Sequence, residues 1–356
     1  MLSVMSPRQR IYLSAVVALT ALAAVLEYSG QADIAIFIVA GAALSGLAWL
    51  VSFSTEAIGE RLSPGATGVL QATLGNLTEL FVVMFALRAG EVTVAQTAVL
   101  GSLFANALLV LGFVLIAGAV HSADGVMRFH KRLPNDAATL LLMSVFIIVI
   151  LGLSDSVGDR ASKHEVAISV IGAICLLSLY AFWLWGYLRR PHEPDHADAE
   201  GHHSKVPLPL AFTLFGVAGA AAAFVSEWFV GALDTAVETL GISKAFTGLV
   251  IVAIAGNAVE NVVGIALAAK GKADLAIAVV KNSVAQIAVF LFPALVLLSL
   301  PFSTPLTFVL SPVFAGALVL TALAVWQITG DGEASAFEGW ALVLLFVVLA
   351  TLAWFE

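Results

Sequence analysis

The sequence predicts an all-α integral membrane protein of about eleven transmembrane helices with an internal repeat. Three observations predict it. Of 356 residues, 61% are hydrophobic and only 11% charged, with a mean hydropathy of +1.03, whereas a soluble domain carries about 25% charged residues. The apolar residues fall into successive runs of about 20, the length a helix needs to cross the hydrocarbon core. Finally, Gly75-Asn76-Leu77-Thr78-Glu79 recurs as Gly256-Asn257-Ala258-Val259-Glu260, 181 residues later, each time within an apolar run. Lipid offers no partner to a backbone N–H or C=O, so the spans must be helices.

Arg8 and Arg10 precede the first run, Ile11–Leu26, a pattern shared by signal peptides and first spans. The many spans that follow and the lack of a clean cleavage site favour an uncleaved helix. The next runs are Ala32–Ser54, Gly65–Leu87, Val92–Val120, Ala137–Leu153 and Val166–Leu188. After them come Leu208–Ala232, Phe246–Ala269, Leu275–Leu300, Leu306–Thr329 and Phe337–Phe355. The second and seventh have polar extensions, Glu56–Arg61 and Asp234–Leu240. Between the sixth and seventh lies the only strongly polar segment of any length. Its Glu193, Asp195, His196, Asp198 and Glu200 stand among prolines and further histidines and cannot bury apolar surface, so it reads as a cytoplasmic linker. Its acid and histidine content suits weak divalent-ion or pH sensing, against the plainer reading of a solvated tether. The expected organisation is a first helix in 1–30, one repeat in 31–188, the linker in 189–206 and a second repeat in 207–356.

With a cytoplasmic N-terminus, 11 loop Lys and Arg fall inside and 4 outside, which is the positive-inside pattern. The two motifs then lie in spans three and eight. Five spans separate them, so the halves are inverted and the motif helices approach the midplane from opposite sides.

A carboxylate within a span is costly and marks a functional site by default. Asn76 lies one turn before Glu79 and shares its face. Gly75 allows close helix crossing or a bend that exposes a carbonyl. Gly256, Asn257 and Glu260 repeat the set. The following span adds Ser102 and Asn106 in the first half and Ser283 and Gln286 in the second. Two carboxylates with neutral oxygens, and no thiolate or intramembrane histidine, suit Ca²⁺ or a similar hard cation rather than zinc or copper. Singly, the Ser, Asn and Gln residues read equally well as glue between helices. A paired carboxylate in a partly dry site holds protons when no cation is present, and a divalent cation drives them off. With alternating access, that competition alone gives exchange.

On these residues the chain resembles the proton-coupled calcium branch of the cation/Ca²⁺ exchanger superfamily. The run Gln71 to Leu80 is similar to that branch's first signature, continued by Leu100-Gly101-Ser102-Leu103-Phe104-Ala105-Asn106. In the second half, Gly241 to Leu249 leads into Gly256 to Glu260, and Asn282-Ser283-Val284-Ala285-Gln286 follows. The resemblance implies one peripheral helix plus two inverted five-helix repeats, with Glu79 and Glu260 binding the metal cation or protons. Asn76, Asn257, Ser102, Ser283 and Gln286 would complete or gate the site, and Asn106 matches the motif with a less defined role. It also implies a Ca²⁺/H⁺ antiporter with Ca²⁺ and H⁺ as transported ions and no cofactor. The setting would be the lipid bilayer of a prokaryotic cytoplasmic (inner) membrane. Asn in both motifs argues for protons over Na⁺ as counter-ion. The alternatives are a Na⁺-coupled exchanger of the same fold and a non-transporting Ca²⁺ sensor. An enzyme is not expected, since the spans carry no Gly-x-Gly-Asp pair, no HExxH and no Ser-His arrangement. The net charge of −8 does not indicate a nucleic-acid binder, and oligomeric state is left open.

One departure is Lys281-Asn282, in register with Leu100-Gly101. The plain expectation is that Lys281 snorkels to the cytoplasmic interface, and the alternative is an internal ion pair with Glu227, Asp234 or Glu238.

Overall fold

The computed structural model describes residues 6–30, 32–59, 61, 74–130, 132–189 and 206–356, without the side chains of 132–137, 187–189 and 258–261. The linker residues Glu193, Asp195, His196, Asp198 and Glu200 lie outside the described residues, as does the start of the third span.

Helix α1 (Pro7–Tyr28) starts at a capping box in which Ser6 and Gln9 exchange hydrogen bonds, with Pro7 in the first turn, where its missing N–H costs nothing. It packs on the outside of α2 (Asp33–Gly59) and α7 (Leu208–Gly231). These two form the central pair, with Phe37 stacked on Phe229 at 4.5 Å. Between them in sequence run α3 (Leu77–Arg88), α4 (Val92–His121), α5 (Arg132–Ser156) and α6 (Glu165–Arg189). After α7 come α8 (Leu233–Leu240), α9 (Lys244–Gly256) and α10 (Ala258–Ala269), then α11 (Ala273–Leu298), α12 (Pro312–Thr329) and α13 (Ala336–Trp354).

Nine described helices are long and apolar enough to cross a membrane. They correspond to every expected span but the third and eighth, the two that carry the motifs. The eighth is interrupted at Asn257, and the third is described only from Leu74 and interrupted at Asn76.

Two boundaries differ from expectation, and one element was not expected. The seventh span does not run on through Asp234–Leu240. Ala232 ends α7, and α8 is a separate helix bent 113° from α9. The tenth begins at Pro312 rather than Leu306, because Ser311 caps it and accepts from the Phe314 N–H. A two-stranded antiparallel sheet, β1 (Val126–Arg128) on β2 (Glu333–Ser335), joins two loops and has no sequence signal of its own. At its end Arg128 reaches Asp124 at 2.7 Å, and this hydrogen bond holds the exposed Asp124 carboxyl below its usual range.

Contacts between loops test the alternating topology. The sheet, the Arg61 bond to the Val206 carbonyl (3.1 Å) and the His130 bonds to Asp274 (2.7 and 2.9 Å) all join loops expected on one face. Arg88 with Glu227 (3.7 Å), Lys244 with Glu91 (2.8 Å) and Ser243 with the Ala353 carbonyl join helix ends and loops expected on the other.

Candidate ion-binding site

The helix break falls at the same motif position in both halves. Asn76 (φ −94°, ψ 20°) ends a turn and precedes α3, and Asn257 (φ −104°, ψ 14°) separates α9 from α10. Neither amide caps its own helix. A helix broken at the membrane midplane frees backbone carbonyls on one side and N–H groups on the other, which suits an ion site. The glutamate then falls in the first turn of a new helix, where the dipole favours negative charge. Glu79 occupies this place in α3 and is 2% exposed. Glu260 occupies it in the backbone of α10, and its side chain lies outside the described part of the structure.

The two motifs meet. A Cβ placed on Gly256 would stand 3.7 Å from Glu79 Cβ, so the second motif's backbone lies against the first motif's carboxylate residue. Between them is a void of about 10 Å³, lined by Thr78, Glu79 and Val82 of α3, Leu44, Phe229, and Val252, Ala255 and Gly256 of α9. That is room for one water-sized particle. Four helices from both halves therefore enclose the carboxylate.

A hydrogen-bond network crosses beside this void. Asn257 Nδ2 donates to Ser102 Oγ at 2.8 Å and to the Ala253 carbonyl at 3.0 Å. Asn106 Nδ2 donates to Asn257 Oδ1 and to the Ser102 carbonyl, both at 3.0 Å. All three side chains are buried. Asn106 Oδ1 and Thr78 Oγ1 are buried oxygens with no hydrogen-bond partner among the described residues, available to a hard cation. Asn76 is also buried, with Gly75 beside it in the turn.

Among the described residues three π-helical turns occur, at Ala105–Val110, Thr247–Val252 and Ile287–Leu291. The first contains Asn106 and corresponds to the third under the 181-residue offset. Such turns are rare, and they widen a helix where a side chain must be re-aimed. Close packing sits next to them. A Cβ on Gly101 would lie 2.5 Å from Leu249 Cα, and one on Gly248 would lie 2.7 Å from the Val94 carbonyl, so α4 and α9 touch backbone to backbone.

The structure thus brings Glu79, Asn257, Ser102, Asn106 and Gly256 together. Ser283 is buried on α11, and Gln286 is half-buried and makes no hydrogen bond in the Asn–Ser network. Lys281 departs from expectation. It is 2% exposed and donates to Thr329 Oγ1 at 2.7 Å instead of reaching the interface. Two of its suggested partners are engaged elsewhere, Glu227 with Arg88 and Asp234 with Lys244. Sequence reasoning missed Phe229 and Leu44, which line the void and read as ordinary apolar residues. It also gave no role to Thr78, although that hydroxyl sits within the motif.

The profile of the family described as sodium/calcium exchanger protein matches residues 32–188 and 210–355. The chain belongs to the sodium/calcium exchanger family. Among its relatives is the Ca(2+)/H(+) antiporter of Synechocystis sp., 29% identical over 99% of both chains. The Ca(2+)/H(+) antiporter ChaA of Bacillus subtilis is 31% identical over 85% of this chain and 87% of its own. The solved structure of native YfkE superposes with a TM-score of 0.82 at 27% identity, covering 97% of this chain and 100% of that one. This member of the exchanger family is therefore a multi-pass, nearly all-helical membrane protein.

Proposed function

We propose that the chain is a secondary active antiporter that exchanges Ca²⁺, or a similar divalent cation, for protons by alternating access. Glu79 and Glu260 bind either the cation or protons, with Asn76, Asn257, Ser102, Asn106, Ser283 and Gln286 completing or gating the site. The observation that carries this reading is the meeting of the motifs, with buried Glu79 against Gly256 around a void of about 10 Å³. The names of the Synechocystis and Bacillus subtilis relatives support the choice of ions. The carboxylates are the only acids in the two motifs, so one site serves both ions and needs no separate proton channel.

The proposed organisation is a peripheral helix in 1–30, inverted repeats in 31–188 and 207–356, and a cytoplasmic linker in 189–206. Its acids and His196 are candidates for regulation. The excess of loop Lys and Arg supports a cytoplasmic N-terminus, and the bacterial relatives support a prokaryotic inner membrane. Export then uses the proton gradient. A ten-thousandfold Ca²⁺ gradient is about 5.5 kcal/mol. Each proton supplies about 1.4 kcal/mol per pH unit, and each net charge about 2.3 kcal/mol per 100 mV.

The test is radioactive Ca²⁺ uptake into sealed vesicles with an inside-acid gradient. The wild type is expected to take up Ca²⁺, and Glu79→Gln and Glu260→Gln to fall to the level of empty vesicles. Full uptake in either variant sinks the mechanism, and uptake that follows Na⁺ and ignores pH replaces the counter-ion.

A further inference from the structure

On the face that carries Lys244, a polar cavity of about 510 Å³ opens between α4, the start of α9 and the start of α12. One wall is Thr93, Gln96, Thr97 and Leu100 of α4. Their spacing of three, one and three residues makes a single stripe about 10 Å long. Ser243, Lys244 and Ser311 face it. The stripe ends two residues before Ser102, where α4 and α9 touch at Gly101 and Leu249. The cavity therefore leads from the surface to the edge of the Asn–Ser network and stops.

Lys244 lines this cavity and makes two ion pairs. Its ammonium is 2.8 Å from Glu91, which opens α4, and 2.7 Å from Asp234 in α8. The two contacts are not equivalent. Lys244 and Asp234 flank the same bend and belong to the same part of the chain. The Glu91 contact alone crosses the seam between α4 and α9. It is also the more shielded, with Glu91 17% exposed against 67% for Asp234, so solvent weakens it less.

We propose that this cavity is the ion pathway on the Lys244 face and that the Glu91–Lys244 ion pair is the latch that holds it shut. The proposal rests on the antiport reading above. For an ion to reach Ser102 and Asn257 from this side, α4 and α9 must part at Gly101 and Gly248. Parting carries Lys244 away from Glu91, while Asp234 stays with Lys244 and keeps its charge compensated. The latch thus adds a cost to opening that neither the apolar packing nor the site itself sets.

The test is thiol labelling. Cys175 is the chain's one cysteine, and Cys175→Ser removes it. Thr97→Cys then reports on the cavity wall, read with a membrane-impermeant methanethiosulfonate on proteoliposomes of known orientation. Labelling from the Lys244 face is expected to be slow in this background. It is expected to be roughly fivefold faster with Glu91→Gln or Lys244→Met, the size of one partly shielded ion pair. Asp234→Asn and Lys244→Arg are expected to leave the rate unchanged. Equal rates for Glu91→Gln and its parent overturn the latch, as does equal acceleration by Asp234→Asn. Labelling only from the opposite face overturns the pathway. Thermal melts of each variant separate misfolding from gating, and the two independent ways of breaking the pair keep the test open if one misfolds. The labelling rate does not depend on which ion moves. Vesicles without Ca²⁺/H⁺ exchange but with Glu91-dependent labelling would sink the antiport reading and keep the latch, and exchange with Glu91-independent labelling would do the reverse.

Discussion

Asn257 donates to the Ser102 hydroxyl at 2.8 Å, which ties the break in the second motif helix to the helix that follows the first. The same amide accepts from Asn106, so one side chain makes two cross-links between the halves. The first half thereby holds the second half's break in place, and Gly256 beside that break lies against Glu79, so the geometry around Glu79 depends on a residue 178 positions away.

Asn257→Ala removes both cross-links and leaves the buried Ser102 hydroxyl without this donor, while Asn106 keeps its bond to the Ser102 carbonyl. The expected cost is about 2 kcal/mol, seen as a lower melting temperature in detergent, together with slower Ca²⁺ uptake. An unchanged melting temperature would show that the cross-links carry no stability.

The backbone contact between α4 and α9 makes a second expectation. Gly101→Ala or Gly248→Ala forces the helices apart and is expected to cost about 1–3 kcal/mol, the range for overpacking. Gly316→Ala in α12 meets open space. There the added methyl is expected to be neutral or to stabilise the helix by up to about 1 kcal/mol. Thermal unfolding of the three variants side by side checks the contrast.

Much of this was legible in the chain, and for definable reasons. Apolar runs of membrane length mark helices because lipid leaves the backbone no alternative, and Glu79 stood out because a carboxylate in such a run needs a reason. The break at Asn76 and Asn257 was less legible. Glycine before asparagine permits a bend but also permits a straight, closely packed helix, and the sequence does not choose between them. Phe229 beside the void was invisible, since it is one apolar residue among many on α7. Lys281 was misjudged because snorkelling is the usual escape for a lysine in a span. Its acceptor, Thr329, lies 48 residues away on another helix, beyond any local pattern.

Lys281 and Thr329 give a prediction with opposite signs. Lys281→Met fills the same space without a charge to desolvate, and such replacements are often neutral or stabilising. Thr329→Val leaves the buried ammonium without its hydroxyl acceptor and is expected to cost about 2–3 kcal/mol, in the range for hydrogen bonds to charged groups. Melting temperatures of the two variants and of the double variant decide it. A double variant as unstable as Thr329→Val alone would show that Thr329 matters for its bond to the Val325 carbonyl and not for Lys281.

The competition between Ca²⁺ and protons has a sign and a slope. Protons occupy the carboxylates as pH falls, so apparent Ca²⁺ affinity is present at high pH and lost on acidification. If each Ca²⁺ displaces a proton from both glutamates, the apparent Kd rises by up to about a hundredfold for each pH unit lowered, since each proton contributes a factor of ten. Glu79→Gln leaves one titrating carboxylate. Any Ca²⁺ binding that survives is then expected to change by no more than about tenfold per unit. Equilibrium Ca²⁺ binding to purified protein across a series of pH values reads both slopes. A wild-type slope already limited to tenfold would mean that only one glutamate exchanges its proton, and that the two motifs, alike in backbone, divide the work between binding and coupling. An affinity independent of pH would remove competition as the source of exchange and require a proton route separate from the two carboxylates.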